Sequence, residues 1–437
     1  MMKIRLRTFR SSLTFLACVA LAAGALGVVK EQLPDYAKKI ETALANRDID
    51  AALRALDGWL EHEPDNVPAR LWRGRLRADR GAYDRAMEDV DAVVRVQPQN
   101  AEARAVRGFI FQKKMKLDEA LADFDAALRI EPKNELALYC RGLIHGERGD
   151  FLSAIGDLDA ALEINPRNGA ALQARARTHL LRQEFSDAVT DFDSSILLDP
   201  RDAASFLGRA EAYYAQGNME RALHDDDEAV RLLPEDARPL IQRGYVRAGM
   251  NSQDKALEDF NAALKIDPKN LAALYGRGEM LRASKKWDDA IADLTAVLAS
   301  APNETRAVMS RAAAFYGAGK MDKALDDYAT AAKQRDDAEA FNDYAWLLAT
   351  GTTDGLRNGS KAIELACHAC DLTGWKNMGY IDTLAAAYAE TGDFTNALKW
   401  QEEAMKAADS ETDEVKADLQ TRLDLYKQQK PYREAAK

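Results

Sequence analysis

One spacing constrains this chain more than any other feature of its sequence: proline recurs every 34 residues through most of its length. These prolines are Pro64, Pro98, Pro132, Pro166, Pro200, Pro234, Pro268 and Pro302. An alanine stands twelve residues before each of them, from Ala52 to Ala290, and Ala324 continues that series. A small residue recurs twelve residues further upstream: Gly74, Gly108, Gly142, Ala176, Ala210, Gly244, Gly278 and Ala312. Self-similarity at such a period indicates stacked copies of one supersecondary unit.

The residue types at these positions predict two packed helices in each period. Glycine and alanine carry little side chain, so two helix axes can approach closely where they meet. Bulky side chains fill the surrounding space: Phe124, Leu158, Phe192, Phe260, Leu294 and Tyr328 on the second helix, and Phe111, Tyr213, Leu281 and Phe315 on the first. The proline follows the second helix, which it cannot continue. One hairpin cannot bury its apolar face alone, so neighbouring hairpins must stack.

This pattern resembles the tetratricopeptide repeat, with nine regular units over about 33–338. The resemblance implies an all-α fold, a right-handed superhelix (α-solenoid) of about eleven helical hairpins with a C-terminal capping helix. Two divergent units are predicted at 339–408, the first with a loop inserted at 350–360, and 409–437 is predicted to be the capping helix and a tail. The segments 345–350 and 382–388 look like the C-terminal part of exported bacterial proteins of this family.

The first 25 residues resemble a secretory signal. Lys3, Arg5, Arg7 and Arg10 precede an apolar run over 13–29, and 23–25 offers a small-residue cleavage site. The expected location is therefore periplasmic or extracellular. Two variants stay open, namely an uncleaved N-terminal membrane anchor and lipid attachment at Cys18, although the residues before this cysteine match a lipidation motif poorly.

Charge excludes one class of partner. The net charge is −11, and the basic residues of 1–25 leave the remainder still more acidic. Binding to nucleic acid needs clustered lysine and arginine, so the sequence predicts no nucleic-acid partner. Flat docking on anionic lipid is disfavoured for the same reason.

Arginine and aspartate recur with the same period. The arginines directly precede the small residue: Arg73, Arg107, Arg141, Arg175, Arg209, Arg243, Arg277 and Arg311. The aspartates follow sixteen residues later: Asp89, Asp123, Asp157, Asp191, Asp225, Asp259, Asp293 and Asp327. A charged ligand track would use such residues, but a site is local whereas this feature recurs in eight of the nine regular units. We therefore predict partly buried pairs, on the paired or adjacent second helix, that set the register of stacking.

The family resemblance implies that the first helices line a concave groove that binds extended peptides or partner helices. Groove-facing candidates are Arg75, Phe109, Tyr139, Arg177, Tyr214, Tyr245, Tyr275, Arg282 and Tyr316. Aromatic residues with a polar tip dominate binding hot spots, although ordinary helix packing would explain these aromatics equally well. Some family members clamp a terminal carboxylate with lysine and asparagine. Leu71, Arg75, Glu102 and Val106 stand at those positions, so no such clamp is predicted.

Catalytic, metal and cofactor signals are weak, and none of these sites is predicted. His145 and His179 share one repeat position, one unit apart, which is too far for easy joint ligation of a metal. Cys367 and Cys370 lie in mid-helix and are interpreted as packing residues. The acidic run 225–228 lacks the glycine-containing loop of a calcium site and is interpreted as a solvated face.

The sequence thus predicts an exported scaffold or adaptor, not an enzyme, that binds other proteins or extended peptide segments through the groove. No small-molecule substrate is predicted, and membrane contact is expected only through an uncleaved N-terminal segment. One alternative is a membrane-anchored envelope assembly factor. Another is an enzyme with its activity in 339–437, which is disfavoured because that segment is itself repeat-like.

Overall fold

A computed structural model describes residues 35–334, 336–408 and 411–434. Across these residues the regular structure is helical, with one short 3-10 turn and no strand. The predicted all-α fold of tandem helical hairpins is confirmed. The predicted signal segment and Cys18 lie outside the described residues. None of the described helices combines the length and the apolar character needed to cross a membrane.

The first compact unit ends at Leu232, and its described residues form six helical hairpins. In chain order the helices are α1 (Asp35–Ala45), α2 (Ile49–His62), α3 (Val67–Asp79), α4 (Tyr83–Val96), α5 (Ala101–Lys113), α6 (Leu117–Ile130), α7 (Glu135–Glu147), α8 (Phe151–Ile164), α9 (Gly169–Leu181), α10 (Phe185–Leu198), α11 (Ala203–Ala215) and α12 (Met219–Leu232). Within this unit each second helix also packs against the first helix of the next hairpin.

The second compact unit begins at Leu233, and its described residues form five hairpins and a final helix. The helices are α13 (Ala237–Gly249), α14 (Gln253–Ile266), α15 (Leu271–Ala283), α16 (Trp287–Ser300), α17 (Thr305–Gly317), α18 (Met321–Gln334), α19 (Ala338–Thr350), α20 (Gly359–Leu372), α21 (Met378–Glu390), α22 (Phe394–Ala407) and α23 (Asp413–Lys427). The 3-10 turn Asp354–Leu356 lies between α19 and α20. The first helices α19 and α21 also pack directly against each other.

Two local signals set where the helices begin and turn. The first helices α3, α5, α7, α9, α11, α13 and α15 each begin after an Asn or Asp whose side chain accepts a backbone N–H, as when Asn100 accepts from Ala103 at 2.9 Å, whereas α17 begins after Glu304 without such a cap. Such caps satisfy donors that have no partner within the helix. The connection between the two helices passes through the left-handed region at one repeat position: Gly81, Met115, Gly149, Gln183, Gly217, Asn251, Lys285 and Gly319. The turn is therefore fixed by repeat position even where its residue is not glycine.

The core is built on close contacts between small and large residues. Phe260 is fully buried between two first helices. An added Cβ on Gly244 would lie 2.8 Å from its ring, and one on Gly276 only 2.5 Å from it. Gly208 similarly faces Phe192, whose Cζ would lie 2.2 Å from an added Cβ. Each such aromatic thus joins its own hairpin to the next one. Bulk at these glycines is excluded by side chains that have nowhere to move.

These contacts predict opposite effects for two Gly→Ala substitutions. Gly208→Ala forces Phe192 out of its packed position and should lower the free energy of unfolding by about 1–3 kcal/mol. Gly156→Ala is the matched control, since Gly156 is exposed within α8 and nothing lies within 4 Å of an added Cβ. It should raise stability by about 0.5–1 kcal/mol through helix propensity. Urea denaturation measures both. Equal stability of the two variants would refute the packing argument.

Candidate interaction surface

In eight of the nine regular hairpins, a repeated arginine joins the two helices by a two-point ion pair. Arg175 on α9 donates from Nε and Nη2 to the two carboxylate oxygens of Asp191 on α10, at 2.8 and 2.6 Å. All eight predicted pairs form: Arg73 with Asp89, Arg107 with Asp123, Arg141 with Asp157, Arg175 with Asp191, Arg209 with Asp225, Arg243 with Asp259, Arg277 with Asp293 and Arg311 with Asp327. The aspartates are buried and the guanidinium groups are half-buried. This fixed two-point geometry suits a guanidinium and a carboxylate.

The same guanidinium also reaches the preceding hairpin. Arg175 donates from Nη1 to Asp159 on α8, sixteen residues earlier, at 2.5 Å. The acceptors at this position are Asp57, Asp91, Asp125, Asp159, Asp193, Asn261 and Thr295. The hydrogen bonds that Arg175 donates to Asp191 and Asp159 raise its pKa above the usual value. One arginine therefore links three helices, and these charges are occupied within the fold rather than open to a ligand.

The acidic run at 225–228 corrects one interpretation. Asp225 and Asp226 are 1% and 0% exposed, so a solvated face is wrong for these two residues. Asp225 accepts Arg209 through the repeated ion pair. The repeat period places an aspartate in the interior here, and composition alone gave no sign of it.

Three of the predicted groove aromatics lie in packing contacts. Phe109 and Tyr139 are partly buried against the hydrophobic clusters between neighbouring hairpins, and burial raises the pKa of Tyr139. The Tyr245 hydroxyl donates to the Ala272 carbonyl at 2.7 Å, and its ring meets Phe260 edge-on at 5.1 Å. These contacts favour the packing interpretation for the three residues.

Several predicted groove residues have partners on the first helices. Arg75 donates to Glu102 at 2.7 Å, so two of the positions compared with a carboxylate clamp neutralise each other. Arg282 pairs with Glu279 at 2.9 Å on the same helix. Partial burial raises the pKa of Tyr275.

The accessible candidates in the first unit are Tyr214 and Arg177. Tyr214 on α11 is 40% exposed, and Arg177 on α9 is exposed too. Arg177 interacts electrostatically with Glu211, which lies one turn before Tyr214. An aromatic residue with a polar tip thus stands in reach of solvent close to charges of both signs. We call the surface formed by these repeat positions of the first helices the first-helix face.

Tyr316, the last predicted groove residue, meets a part of the chain that sequence reasoning did not place. Helix α23 is closed by Gln429 in the left-handed conformation (φ 54°) and by the Lys430 N–H, which donates to the Leu425 carbonyl at 3.0 Å. Pro431 then directs the chain away from the helix axis. Residues 430–434, here called the tail segment, return as non-helical chain to α17, α19 and α21. A hydrogen bond from Tyr316 to Glu434, added to burial, raises the tyrosine pKa.

The tail segment is held by both backbone and side chains. The Glu434 N–H donates to the Thr350 carbonyl at 3.1 Å, and Trp346 Nε1 donates to the Glu434 carboxylate at 2.7 Å. The Tyr432 ring lies 5.9 Å from the Trp346 ring and packs against the buried cluster of α21, α22 and α23. The Arg422 guanidinium lies over both rings, at 5.6 and 5.5 Å. Trp346 occupies the first-helix position of Tyr245, since it follows Ala345 as Tyr245 follows Gly244.

A carboxylate shared by two arginines completes this contact. Arg433 of the tail segment pairs with Glu390 at 2.5 Å, and Arg357 of the inserted loop pairs with the same carboxylate at 2.9 Å. The Glu390 side chain is 13% exposed. The loop and the tail segment, far apart in sequence, therefore meet at one half-buried charge. Pro431 signals the end of α23 in the sequence, but no local pattern identifies the place where the following residues bind.

The residues that could bind a metal ion or supply a reactive thiol are engaged in ion pairs and packing instead. His179, Glu184 and Asp187 come close enough to share an ion, but His179 already contacts Glu184 at 2.7 Å and Arg182 neutralises that carboxylate at 2.8 Å. His145 lies near a different acid, Asp150, at 3.6 Å.

The paired cysteines of α20 show no sign of activation. Cys367 and Cys370 are free thiols, and burial raises the pKa of both, to about 12 for Cys370. The thiolate is the reactive form, so this environment favours inert thiols. His368, between them in sequence, contacts Asp336 at 2.6 Å.

Comparison with known proteins identifies the family. Family models described as tetratricopeptide repeat match residues 43–108 and, in overlapping segments, 110–169, 139–197, 173–237, 242–304 and 281–340. These segments cover more than half of the chain, which therefore belongs to the tetratricopeptide repeat family, as the repeat pattern predicted. Proteins of this fold are typically scaffolds for protein–protein interaction and are generally non-catalytic. No curated protein matches the chain.

Several solved structures are similar to this chain at low identity. A tetratricopeptide repeat protein from Parabacteroides merdae is 22% identical, with 53% of this chain and 92% of that chain covered and a TM-score of 0.40. Yeast Tom70 is 17% identical, with 90% and 95% covered and a TM-score of 0.41. The Thermus thermophilus protein TTC0263 is 25% identical, with 41% and 98% covered and a TM-score of 0.36.

The ion-pair geometry predicts the cost of removing one arginine. Arg175→Ala leaves the Asp191 carboxylate buried without its guanidinium and should destabilise the protein by about 3 kcal/mol. Arg175→Leu should be equally costly, because its apolar volume does not satisfy the carboxylate. Arg167→Ala, at an exposed turn residue, is the control and should change stability by less than about 0.5 kcal/mol. Superimposable melting curves for all three variants would show that the pairs contribute nothing.

Proposed function

We propose that this protein is an exported scaffold that holds extended segments of partner proteins on its first-helix face. The observation that carries the proposal is the tail segment. It is a non-helical stretch of chain bound to that face by a backbone hydrogen bond, an aromatic contact and two charged groups. The same kinds of contact would bind a segment of another protein.

The first unit supplies an accessible part of this face. Tyr214 offers a large, rigid side chain with a polar tip, the type of residue that contributes most to binding hot spots. Arg177 and Glu211 add charges of opposite sign nearby. A partner segment that places an apolar side chain on Tyr214 and an acidic one near Arg177 would match this chemistry.

Site-specific photo-cross-linking tests the surface. A benzophenone amino acid at position 214 should form adducts with partner proteins in intact producing cells, because that side chain would lie in the bound interface. The same group at Leu197, which is 83% exposed on the second helix α10, is the control. Adducts at 214 should also be lost on Arg177→Glu, which reverses the nearby charge. Adducts of equal yield at 197, or none at 214, would refute binding at this face.

Export is the second part of the proposal, and it rests on the pattern of residues 1–25. Cleavage after Ala25 would give a mature chain that begins at Leu26, which intact-mass measurement of the protein from fractionated cells detects. Ala25→Leu should block processing because the peptidase requires a small residue there, whereas Ala22→Leu should be processed normally. A full-length chain in the membrane fraction would indicate the anchored assembly factor instead, and an acylated Cys18 would indicate a lipoprotein. A full-length chain in the cytosol would refute export.

A further inference from the structure

The tail segment already occupies part of the first-helix face of the second unit. Its side chains indicate which kind of segment this part of the face binds. The tail segment follows α23 and crosses α17, α19 and α21, where its side chains meet donors and acceptors from each helix. The residues it meets are Tyr316 on α17, Trp346, Ala349 and Thr350 on α19, and Glu390 on α21. We call these five residues the tail site.

The tail site makes three chemically different contacts. The Tyr432 ring lies 5.9 Å from the Trp346 ring at an angle of 42°, and the Arg422 guanidinium of α23 lies over it at 5.5 Å. Glu390 receives the Arg433 guanidinium, which also reaches the Ala349 carbonyl at 3.4 Å. The Glu434 carboxylate accepts from Trp346 Nε1. An aromatic, a basic and an acidic side chain in consecutive positions are thus read separately.

The backbone contact fixes the register of the bound segment. The Glu434 N–H donates to the carbonyl of Thr350, the last residue of α19. The last carbonyls of a helix have no partner within it. A bound chain that supplies an N–H here satisfies one of them, and this contact does not depend on the side chain that the segment carries.

We infer that the tail site is a peptide-binding site for extended segments of the sequence type aromatic–arginine–acidic, and that the tail segment is its tethered competitor. This inference rests on the proposed function, because it assigns a ligand class to one part of the first-helix face. A partner segment of this class must displace residues 432–434 before it binds. The tether makes displacement costly, since a short linker holds a competitor at an effective concentration of about 1 mM.

The side-chain contacts of the tail segment are of two kinds, one that also packs the core and two charged ones that can be removed separately. Tyr432 packs against the core of α21, α22 and α23, whereas the Arg433 and Glu434 side chains pair with residues of the tail site. The full-length variant Arg433→Ala/Glu434→Ala therefore removes the two charged contacts and keeps the aromatic one. Its thermal melting is measured first, as a check of folding.

The probe is a fluorescein-labelled peptide of residues 428–434, amidated at its C-terminus, and its binding is followed by fluorescence anisotropy. It should bind the double variant at least roughly tenfold more tightly than the wild type, because the variant tail competes less well. The same peptide with alanine in place of Arg433 and Glu434 should bind the double variant at least roughly tenfold more weakly.

A third variant tests the indole donor. In the double-variant background, Trp346→Phe keeps an aromatic ring but removes the N–H that contacts Glu434, so the peptide affinity should fall by roughly tenfold. Trp72→Phe, in α3 of the first unit, is the matched control and should leave the affinity unchanged.

Equal affinity of the peptide for wild type and double variant, or no binding to either, would overturn the inference. If the double variant does not show the melting behaviour of the wild type, binding of the peptide to the wild type is the test instead. Saturable binding near millimolar peptide, lost with the alanine-substituted peptide, supports the site, and its absence overturns it. Either negative result leaves cross-linking at position 214 as a separate test of the proposed function.

Discussion

The close approach of helices at glycine and alanine is the contact on which the rest of the structure depends. Phe260 fills the space between Gly244 on its own hairpin and Gly276 on the next, and a methyl group on either glycine would overlap its ring. In a repeat protein each unit contacts only its neighbours, so no distant core compensates for a poor fit. The packing of a bulky side chain against small residues must therefore recur in every unit. This requirement explains why the small residues and the bulky ones keep the same spacing along the chain.

The arginine–aspartate links add direction to this packing. Apolar packing tolerates small sliding movements of one helix along another. The guanidinium does not, because it binds two oxygens of one carboxylate and a third acceptor on the preceding hairpin. Buried ion pairs contribute little net stability, but they penalise a wrong register because a displaced partner leaves a buried charge unpaired. The two last links in the series use Asn261 and Thr295 as the third acceptor, so the charge on the preceding helix is not essential to the geometry. Since these arginines and aspartates are paired inside the fold, their charges are not open to a partner.

Departures from the period create the most elaborate part of the first-helix face. The inserted loop carries Arg357 to Glu390, and α19 packs directly on α21. Glu390 then offers a half-buried negative charge that Arg433 completes from the other side. An acidic group in this position is costly to leave uncompensated, which explains why two arginines converge on it. Regular repeats keep their charges satisfied internally, and the irregular ones leave a charge that an added segment satisfies.

The residues and their spacing determined the class of fold, the hairpin as its unit, and the pairing of each arginine with the aspartate sixteen residues later. All of these depend on contacts that recur at a fixed separation, and a period in sequence records them directly. Tertiary structure alone decided which first-helix aromatics are packed, as Tyr139 and Tyr245 are, and which remain accessible, as Tyr214 does. Equivalent repeat positions have different neighbours on the adjoining helix, and a single unit does not reveal them. It alone also brought the tail segment to Tyr316, Trp346 and Glu390. That contact joins residues up to about a hundred positions apart and occurs once, so no repetition in the sequence could announce it.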